Sequence, residues 1–403
     1  MTGGAVQERL RALLDDPAIA RLFSDLARPG EETRIVGGAI RNAVIGTPAP
    51  DIDLATTLSP AAVMAAGRAA GWQGVPTGIE HGTVTLVRDG RAFEITTLRE
   101  DIATDGRHAE VRFGRDFAAD AARRDFTINA LSMGVDGVVH DYFGGLDDLA
   151  ARRVRFIGAP AARLAEDHLR GLRFLRFSAT YGEGRLDPEG FAAVVADRDG
   201  LAGLSRERIR QETMKLLDAP HAAVVIEAAE AEGLVSAIIG LPVDMPRFRA
   251  RMAIADPPAS ALFRLNALAV RDAGDVAHLR AAMRLTNREE RVLSRLLEAG
   301  ALFRASGLRA FLELAEGYAD VAAEVVALAA VESGEPALLA GVAALADPPV
   351  FRMTGKDALA LGVAVGPGVG AALARAKAAW FAAGCPADPE AQRAILAEVL
   401  KAG

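Results

Sequence analysis

Thr33-Arg34-Ile35-Val36-Gly37-Gly38-Ala39-Ile40-Arg41, followed by Asp51-Ile52-Asp53-Leu54-Ala55, is the stretch that decides the fold. Thr33 to Val36 is short, apolar and β-branched, as a strand is, and it runs into two glycines. The polar-apolar run from Ala39 to Ile45 then has helical spacing. Two glycines between a strand and a helix let the backbone approach a phosphate, and the helix N-terminus adds N–H groups and a positive dipole. Arg41, one turn in, can bind an oxyanion. Alone, such a turn is more often a plain connection. Asp51 to Ala55 alternates like a second strand, which would aim the Asp51 and Asp53 carboxylates to one side and Ile52 and Leu54 into the core. Two like charges that close need a cation, and hard oxygen donors suit Mg2+. An isolated Asp-x-Asp is usually a solvated turn; after the Gly-Gly turn it becomes a candidate metal site.

Outward from this core, residues 6–28 read as one amphipathic helix ending before Pro29-Gly30, and residues 60–71 as another. Two strands follow, His81 to Arg88 and Arg91 to Leu98, split by the turn Asp89-Gly90. Glu94, in the second of them, is the candidate third carboxylate of a two-metal site; the alternative is an exposed strand residue. Arg99 to Glu110 reads as a polar loop, and residues 127–143 as a helix leading to a strand that closes at Gly144-Gly145. Beyond Arg153 strand signals almost vanish, and Ala/Leu/Arg periods of helical type run to the end, with breaks near Gly200, Asp256-Pro257-Pro258 and Pro348-Pro349. The expected class is α+β: a head with a mixed sheet and helices over 1–151, a helical neck over 152–218, and a helical body and tail over 219–403.

Composition bounds the reading. With 403 residues, 51% of them hydrophobic and 25% charged, the chain should fold as more than one domain and be ordered over most of its length. No uncharged run reaches the roughly 18 residues a bilayer span needs. Met1 to Leu14 includes the charged Glu8, Arg9 and Arg11 and has no apolar core followed by a cleavage site, unlike a secretory signal. One cysteine, Cys385, leaves no internal disulfide and no multi-cysteine metal site. A cytoplasmic protein with no membrane partner is expected; its oligomeric state is not written in the sequence. The net charge of −7 argues against a general nucleic-acid coat, but affinity follows local arginine patches.

Two later segments carry chemistry. In Arg123-Arg124-Asp125-Phe126-Thr127-Ile128-Asn129-Ala130, paired arginines offer several donors to a triphosphate, and Asp125 and Asn129 can bond ribose hydroxyls. A capped helix start is the plainer reading, and both can hold. Asp141 to Leu149 reads as a hinge leaving the head. Glu166-Asp167-His168-Leu169-Arg170, with Arg173 and Arg176 at three-residue spacing, should place Asp167 and Arg170 on one helix face. They form either an intrahelical ion pair or a base reader. Cytosine and adenine each present an amino donor beside a ring-nitrogen acceptor, which a carboxylate and a guanidinium match, whereas guanine and uracil present N–H there.

Taken in order, Gly-Gly-x-x-Arg, Asp-x-Asp, Arg-Arg-Asp-Phe-Thr-Ile-Asn-Ala, Asp-x-x-Gly-Gly and Glu-Asp-x-x-Arg resemble the class II CCA-adding tRNA nucleotidyltransferases and bacterial poly(A) polymerases. Leu204-Ser205-Arg206-Glu207-Arg208-Ile209 with Glu212 is similar to the family's next motif. Thr354 to Asp357 and Gly366 to Gly370 resemble its tail. The resemblance implies template-independent addition of C and A to the 3′ end of tRNA from CTP and ATP. Asp51 and Asp53, with Glu94, would serve the metals. Gly37, Gly38 and Arg41 would contact the triphosphate. Arg123, Arg124, Asp125 and Asn129 would grip phosphate and ribose, Asp167 and Arg170 would read the base edge, and Arg173 would also bind the nucleotide. The Arg99–Glu110 loop matches the element tied to the switch from C to A. Arginines 247, 249, 251, 264, 284, 288, 291 and 295 are plausible tRNA contacts. Two positions depart from the family: Asn42 stands where it usually has Asp, and His168 where Pro is more frequent. Rival readings are a poly(A) polymerase, against which the nearly neutral Ala387–Gly403 speaks, an A-only or CC-only enzyme, and an inactive RNA-binding protein. A His-Asp hydrolase is excluded, because the histidines form no ligand cluster.

Overall fold

The computed structural model describes residues 3–48, 51–79, 82–101, 111–255, 258–345, 350–383 and 386–401. The chain divides into two compact units, one of Met1–Leu204 with Ala219–Glu232 and one of Ser205–Asp218 with Gly233–Gly403. It is an α+β protein, with every described strand in the first unit.

The strands are β1 (Thr33–Val36), β2 (Asp53–Thr56), β3 (Gln73–Gly78), β4 (Thr83–Arg88), β5 (Arg91–Thr97), β6 (Arg99–Asp101), β7 (Val111–Phe113), β8 (Leu131–Met133) and β9 (Val139–Asp141). Seven form one sheet in the order β3-β4-β5-β2-β1-β8-β9, and β6 and β7 form a separate ladder. β2 runs antiparallel to β1 and parallel to β5, so the sheet is mixed. Its centre is apolar: Ile35, Leu54, Val84, Leu86 and Ile95 are all buried.

Helices pack around this sheet: α1 (Gly4–Asp15), α2 (Pro17–Leu26), α3 (Gly38–Ile45), α4 (Pro60–Ala69), α5 (Phe117–Ala122) and α6 (Gly145–Ala150). The single helix expected over 6–28 is two. Proline at the first position of α2 cannot continue α1, and the Asp16 carboxylate instead accepts from the N–H groups of Ala18 and Ile19 to start a new helix. β3 went unread because it holds Pro76 and two glycines; as an edge strand with a register shift it tolerates them. Residues 127–143 are a 3-10 turn and the β8–β9 hairpin, closed between Gly134 and Gly137, not a helix and a strand. The expected Arg99–Glu110 loop begins as β6; residues 102–110 lie outside the described residues, as do His81, Asp256-Pro257, Pro348-Pro349 and Cys385.

The Asp141–Leu149 segment is a polar knot. Asp141 accepts from the N–H groups of Phe143, Gly145 and Leu146. Asp148, fully buried, accepts from the Thr127 hydroxyl at 2.6 Å and from Arg153 and Arg155.

From Val154 on, the structure is helical. α7 (Pro160–Glu166), α8 (Leu169–Tyr181) and α9 (Pro188–Ala196) belong to the first unit. Of the next two, α10 (Arg206–Asp218) belongs to the second unit and α11 (Ala222–Ala231) to the first. The second unit continues with α12 (Leu234–Ile239), α13 (Met245–Met252), α14 (Ala261–Ala269), α15 (Ala273–Met283), α16 (Asn287–Leu314) and α17 (Ala322–Ser333). Four more complete it: α18 (Ala340–Ala344), α19 (Gly355–Ala360), α20 (Pro367–Ala382) and α21 (Pro389–Lys401).

Several arginines expected to face RNA are spent inside this unit. Arg251 is fully buried in a pair with Glu324, its Nη2 2.6 Å from Oε2, so it is not a surface contact. Arg247 bonds Glu332 and three backbone carbonyls, and Arg264 donates to the Leu217 carbonyl. Arg284 and Arg295 pair with Glu207 and Asp320. Arg249, Arg288 and Arg291 are exposed.

Candidate active site

Strand register builds the site. The last β1–β2 pair is Val36 with Asp53, after which β1 turns into Gly37 and α3. Asp51 and Ile52 therefore have no strand to pair with, and the strand expected from Asp51 begins at Asp53. On its other side β2 pairs Asp53 with Glu94 of β5 in parallel register, which sets the two carboxylates side by side. Together with Val36, Leu54, Ala55 and Thr96 they line a cleft of about 290 Å3 whose remaining walls are Arg99, Asp120, Arg123 and Arg124. Asp51 is not among the lining residues, but its charge reaches Asp53. Partial burial first, then Glu94 and Asp51, raise the Asp53 carboxyl above its ordinary value, while Arg124 pulls it down.

Gly37 follows the cleft-lining Val36 and lies against Arg124. Its φ of 67° and ψ of −118° suit glycine alone, and a Cβ there would stand 2.9 Å from Arg124 Nη1. Arg124 spans the gap, donating to the Asn129 carbonyl and pairing with Asp120. Arg123 donates to the Arg99 carbonyl.

Behind this wall runs a connected polar network. Arg173 of α8 donates to Asp125, whose other oxygen accepts from the Asn129 amide and the Phe126 N–H. The Asn129 side-chain oxygen, Oδ1, accepts from Arg41, which also donates to the Tyr181 hydroxyl at 2.8 Å and to Asn42. Arg41 lies 4.1 Å over the Tyr181 ring, and burial lowers its basicity. It is a buried member of the network and does not line the cleft. The network sits on an aromatic floor, where Phe126 meets Phe156 and Phe177 at 5.0 and 5.2 Å between ring centres. That floor fixes α8 against the 123–130 segment.

The base-reading pair is built differently from the expectation. Asp167 and Arg170 do not share a helix: α7 ends at Glu166, Asp167 is extended, and α8 begins at Leu169. An extended residue ends the 3.6-residue period, so spacing alone could not orient the pair. The Asp167 carboxylate accepts from the Leu169 N–H. The Arg170 guanidinium meets Glu166 and the carbonyls of Arg163 and Arg123, which brings it against the arginine wall. Arg99, Asp120 and Tyr181 were not singled out in the sequence. Asp120 had a signal, the four-residue spacing to Arg124; Tyr181 had none.

Among the described residues, no three His, Cys, Asp or Glu side chains form a metal group. The donor set still fits a divalent ion of the kind that takes one or two carboxylates and completes its shell with phosphate and water oxygens. Asp53 and Glu94 supply such a pair, and their mutual repulsion is what a cation would relieve.

Residues 33–155 match the poly A polymerase head domain, and residues 185–242 match the probable RNA and SrmB-binding site of polymerase A. Sheet, cleft and match together mark residues 33–155 as a head domain of the poly A polymerase type. The chain is 43% identical over 219 residues to the mitochondrial CCA tRNA nucleotidyltransferase 1 of Danio rerio, covering 53% of this chain and 50% of that protein. It is 38% identical over 222 residues to the CCA-adding enzyme of Bacillus licheniformis, covering 55% of each. The matched region thus spans about half the length of these curated relatives. The CCA-adding enzyme of Bacillus stearothermophilus in complex with CTP superposes with a TM-score of 0.65 at 27% identity, over 95% of this chain and 96% of that one. The Thermotoga maritima CCA-adding enzyme complexed with tRNA shares the fold, with a TM-score of 0.74 at 19% identity over 99% and 98% of the two chains. Residues 33–155 thus match a poly A polymerase head domain, and over about half of its length the chain is similar to CCA-adding tRNA nucleotidyltransferases.

Proposed function

We propose that this protein adds C and A residues to the 3′ end of tRNA, taking them from CTP and ATP with Mg2+ and without a template. The observation that carries the proposal is the in-register pair Asp53 and Glu94, facing Arg99, Arg123 and Arg124 across one small cleft. Acidic residues on one wall and guanidiniums on the other suit a metal-bound triphosphate. Asp53 and Glu94, with Asp51 beside them, would hold Mg2+, which when bound supplies positive charge to the triphosphate and to the attacking oxygen. The 3′-oxygen of the RNA attacks the α-phosphorus in line, the α–β phosphoanhydride bond breaks, and pyrophosphate leaves. Arg123 and Arg124 orient the phosphates. Gly37 and Gly38 let the backbone close against them, and Arg41 acts from behind, by holding Asn129. Asp125 and Asn129 would meet the ribose, kept in place by Arg173. Asp167 and Arg170 would read the base edge.

In the same reading, 1–151 is the catalytic head, 152–218 the neck with the nucleotide-recognition segment, and 219–403 the RNA-binding body and tail. A cytoplasmic location fits a chain with one cysteine and rests on composition alone. No helix of the described residues is long and apolar enough to cross a membrane.

The test is incubation with tRNA lacking its 3′ end, Mg2+ and separately labelled CTP and ATP, followed by sequencing of the products. Addition that stops after C, C and A is expected. A long A tail, or no incorporation, would overturn the proposal.

A further inference from the structure

We infer that His168 and Asp197 form a clamp that positions Asp167 and Arg170, so that this pair sets how faithfully C and A are chosen; the inference rests on the base-reading role proposed above. His168 occupies the joint between α7 and α8, with Asp167 before it and Arg170 in the first turn after it. Its Nδ1 lies 2.8 and 3.0 Å from the two Asp197 oxygens. With a carboxylate as partner, Nδ1 carries the proton and donates.

Asp197 caps the C-terminal end of α9, and the 3-10 turn Arg198–Gly203 follows it. That turn is shaped to receive the ring. A Cβ on Gly200 would stand 2.2 Å from His168 Nδ1 and 2.6 Å from Cγ and Cε1, so only glycine leaves room for the imidazole. A hydrogen-bonded carboxylate and a bare backbone face thus hold one side chain from two directions.

The joint needs such a hold. Asp167 is extended, at φ −156° and ψ 103°, and His168 then turns helical, at φ −57° and ψ −22°. A rotation at residue 168 would swing Arg170 relative to Asp167, because one stands before the bend and the other after it. The φ at His168 is the one a proline ring imposes, and the extended conformation of Asp167 is of the kind a following proline favours. The N–H of residue 168 also precedes the first turn of α8, outside that helix's ladder. Proline would therefore fix covalently the bend that His168 fixes through Asp197.

The test compares four variants, Asp197→Ala, Gly200→Ala, His168→Pro and His168→Pro with Asp197→Ala. Steady-state kcat and KM are measured for CTP, ATP, UTP and GTP on tRNA lacking its 3′ end, together with thermal midpoints. Asp197→Ala should raise KM for CTP and ATP roughly tenfold with a smaller change in kcat, and should narrow their preference over UTP and GTP by a similar factor. Gly200→Ala, which displaces the ring but keeps the carboxylate, should reproduce that pattern. His168→Pro should restore selectivity whether or not Asp197 is present. Rescue by proline separates positioning from a general loss of stability. Wild-type selectivity in Asp197→Ala, or no rescue in the double variant, would overturn the clamp alone. A wild-type protein that incorporates no nucleotide would overturn the base-reading role and the clamp together.

Discussion

Asp53 shows how a functional side chain is held against its own preference. Burial and the neighbouring charges of Glu94 and Asp51 raise its carboxyl above the ordinary value, so its ionised form is resisted by the folded protein. Replacing Asp53 with Asn should reduce nucleotide incorporation by about a thousandfold or more, as expected for removing charge stabilisation from a phosphoryl-transfer site. The thermal midpoint of that variant should not fall, because a crowded carboxylate has been removed. Substantial turnover by Asp53→Asn would refute the assignment of the cleft. Asp148 is the opposite kind of carboxylate, buried and satisfied by Thr127, Arg153 and Arg155. Asp148→Ala leaves a buried hydroxyl without its acceptor and should cost roughly 2–4 kcal/mol in chemical denaturation.

At the scale of elements, capping decides where helices begin. Asp16 starts α2 and also pairs with Arg91 of β5 at 2.7 Å, tying that helix to the sheet. Burial would raise its carboxyl, but the Arg91 bonds and the Ala18 and Ile19 amides outweigh that and hold it below its ordinary value. For a carboxyl depressed by folding, the stabilisation is complete above the unfolded value and disappears as pH falls through the folded one. Asp16→Ala should therefore lose about 1 kcal/mol at neutral pH. The gap between wild type and variant should close below about pH 4, as urea titrations across pH would show. A gap that persists at pH 2 would mean the loss is packing, not charge. The β1–β2–β5 register is the other decisive feature at this scale. It places Glu94 beside Asp53, and starts β2 at Asp53, leaving Asp51 outside the strand.

Across the whole molecule, the second unit carries a buried ion pair in which Arg251 of α13 meets Glu324 of α17 through the Nε–Nη2 edge of its guanidinium. Removing one partner strands a charge, so Glu324→Ala should destabilise by roughly 3–5 kcal/mol. Replacing both, as Arg251→Met with Glu324→Leu, should recover most of that loss, measured by thermal or denaturant unfolding. If the double variant is no more stable than the single one, the pair is needed for packing and not only for charge balance. The sequence by itself determined the strand–Gly-Gly–helix turn, the head followed by a helical remainder, and most candidate site residues. These follow from local chemistry: which residues accept a positive φ, which spacings repeat at two or at 3.6, which side chains carry charge. It did not determine that Glu94 stands beside Asp53, that Arg41 faces inward to Tyr181, or that Asp167 and Arg170 flank a bend held by Asp197. It also marked Arg251 as a surface residue when the fold buries it. Each of these joins residues far apart in the chain. Strand register and helix docking, which answer to burial over a whole unit and not to neighbouring residues, are what bring them together.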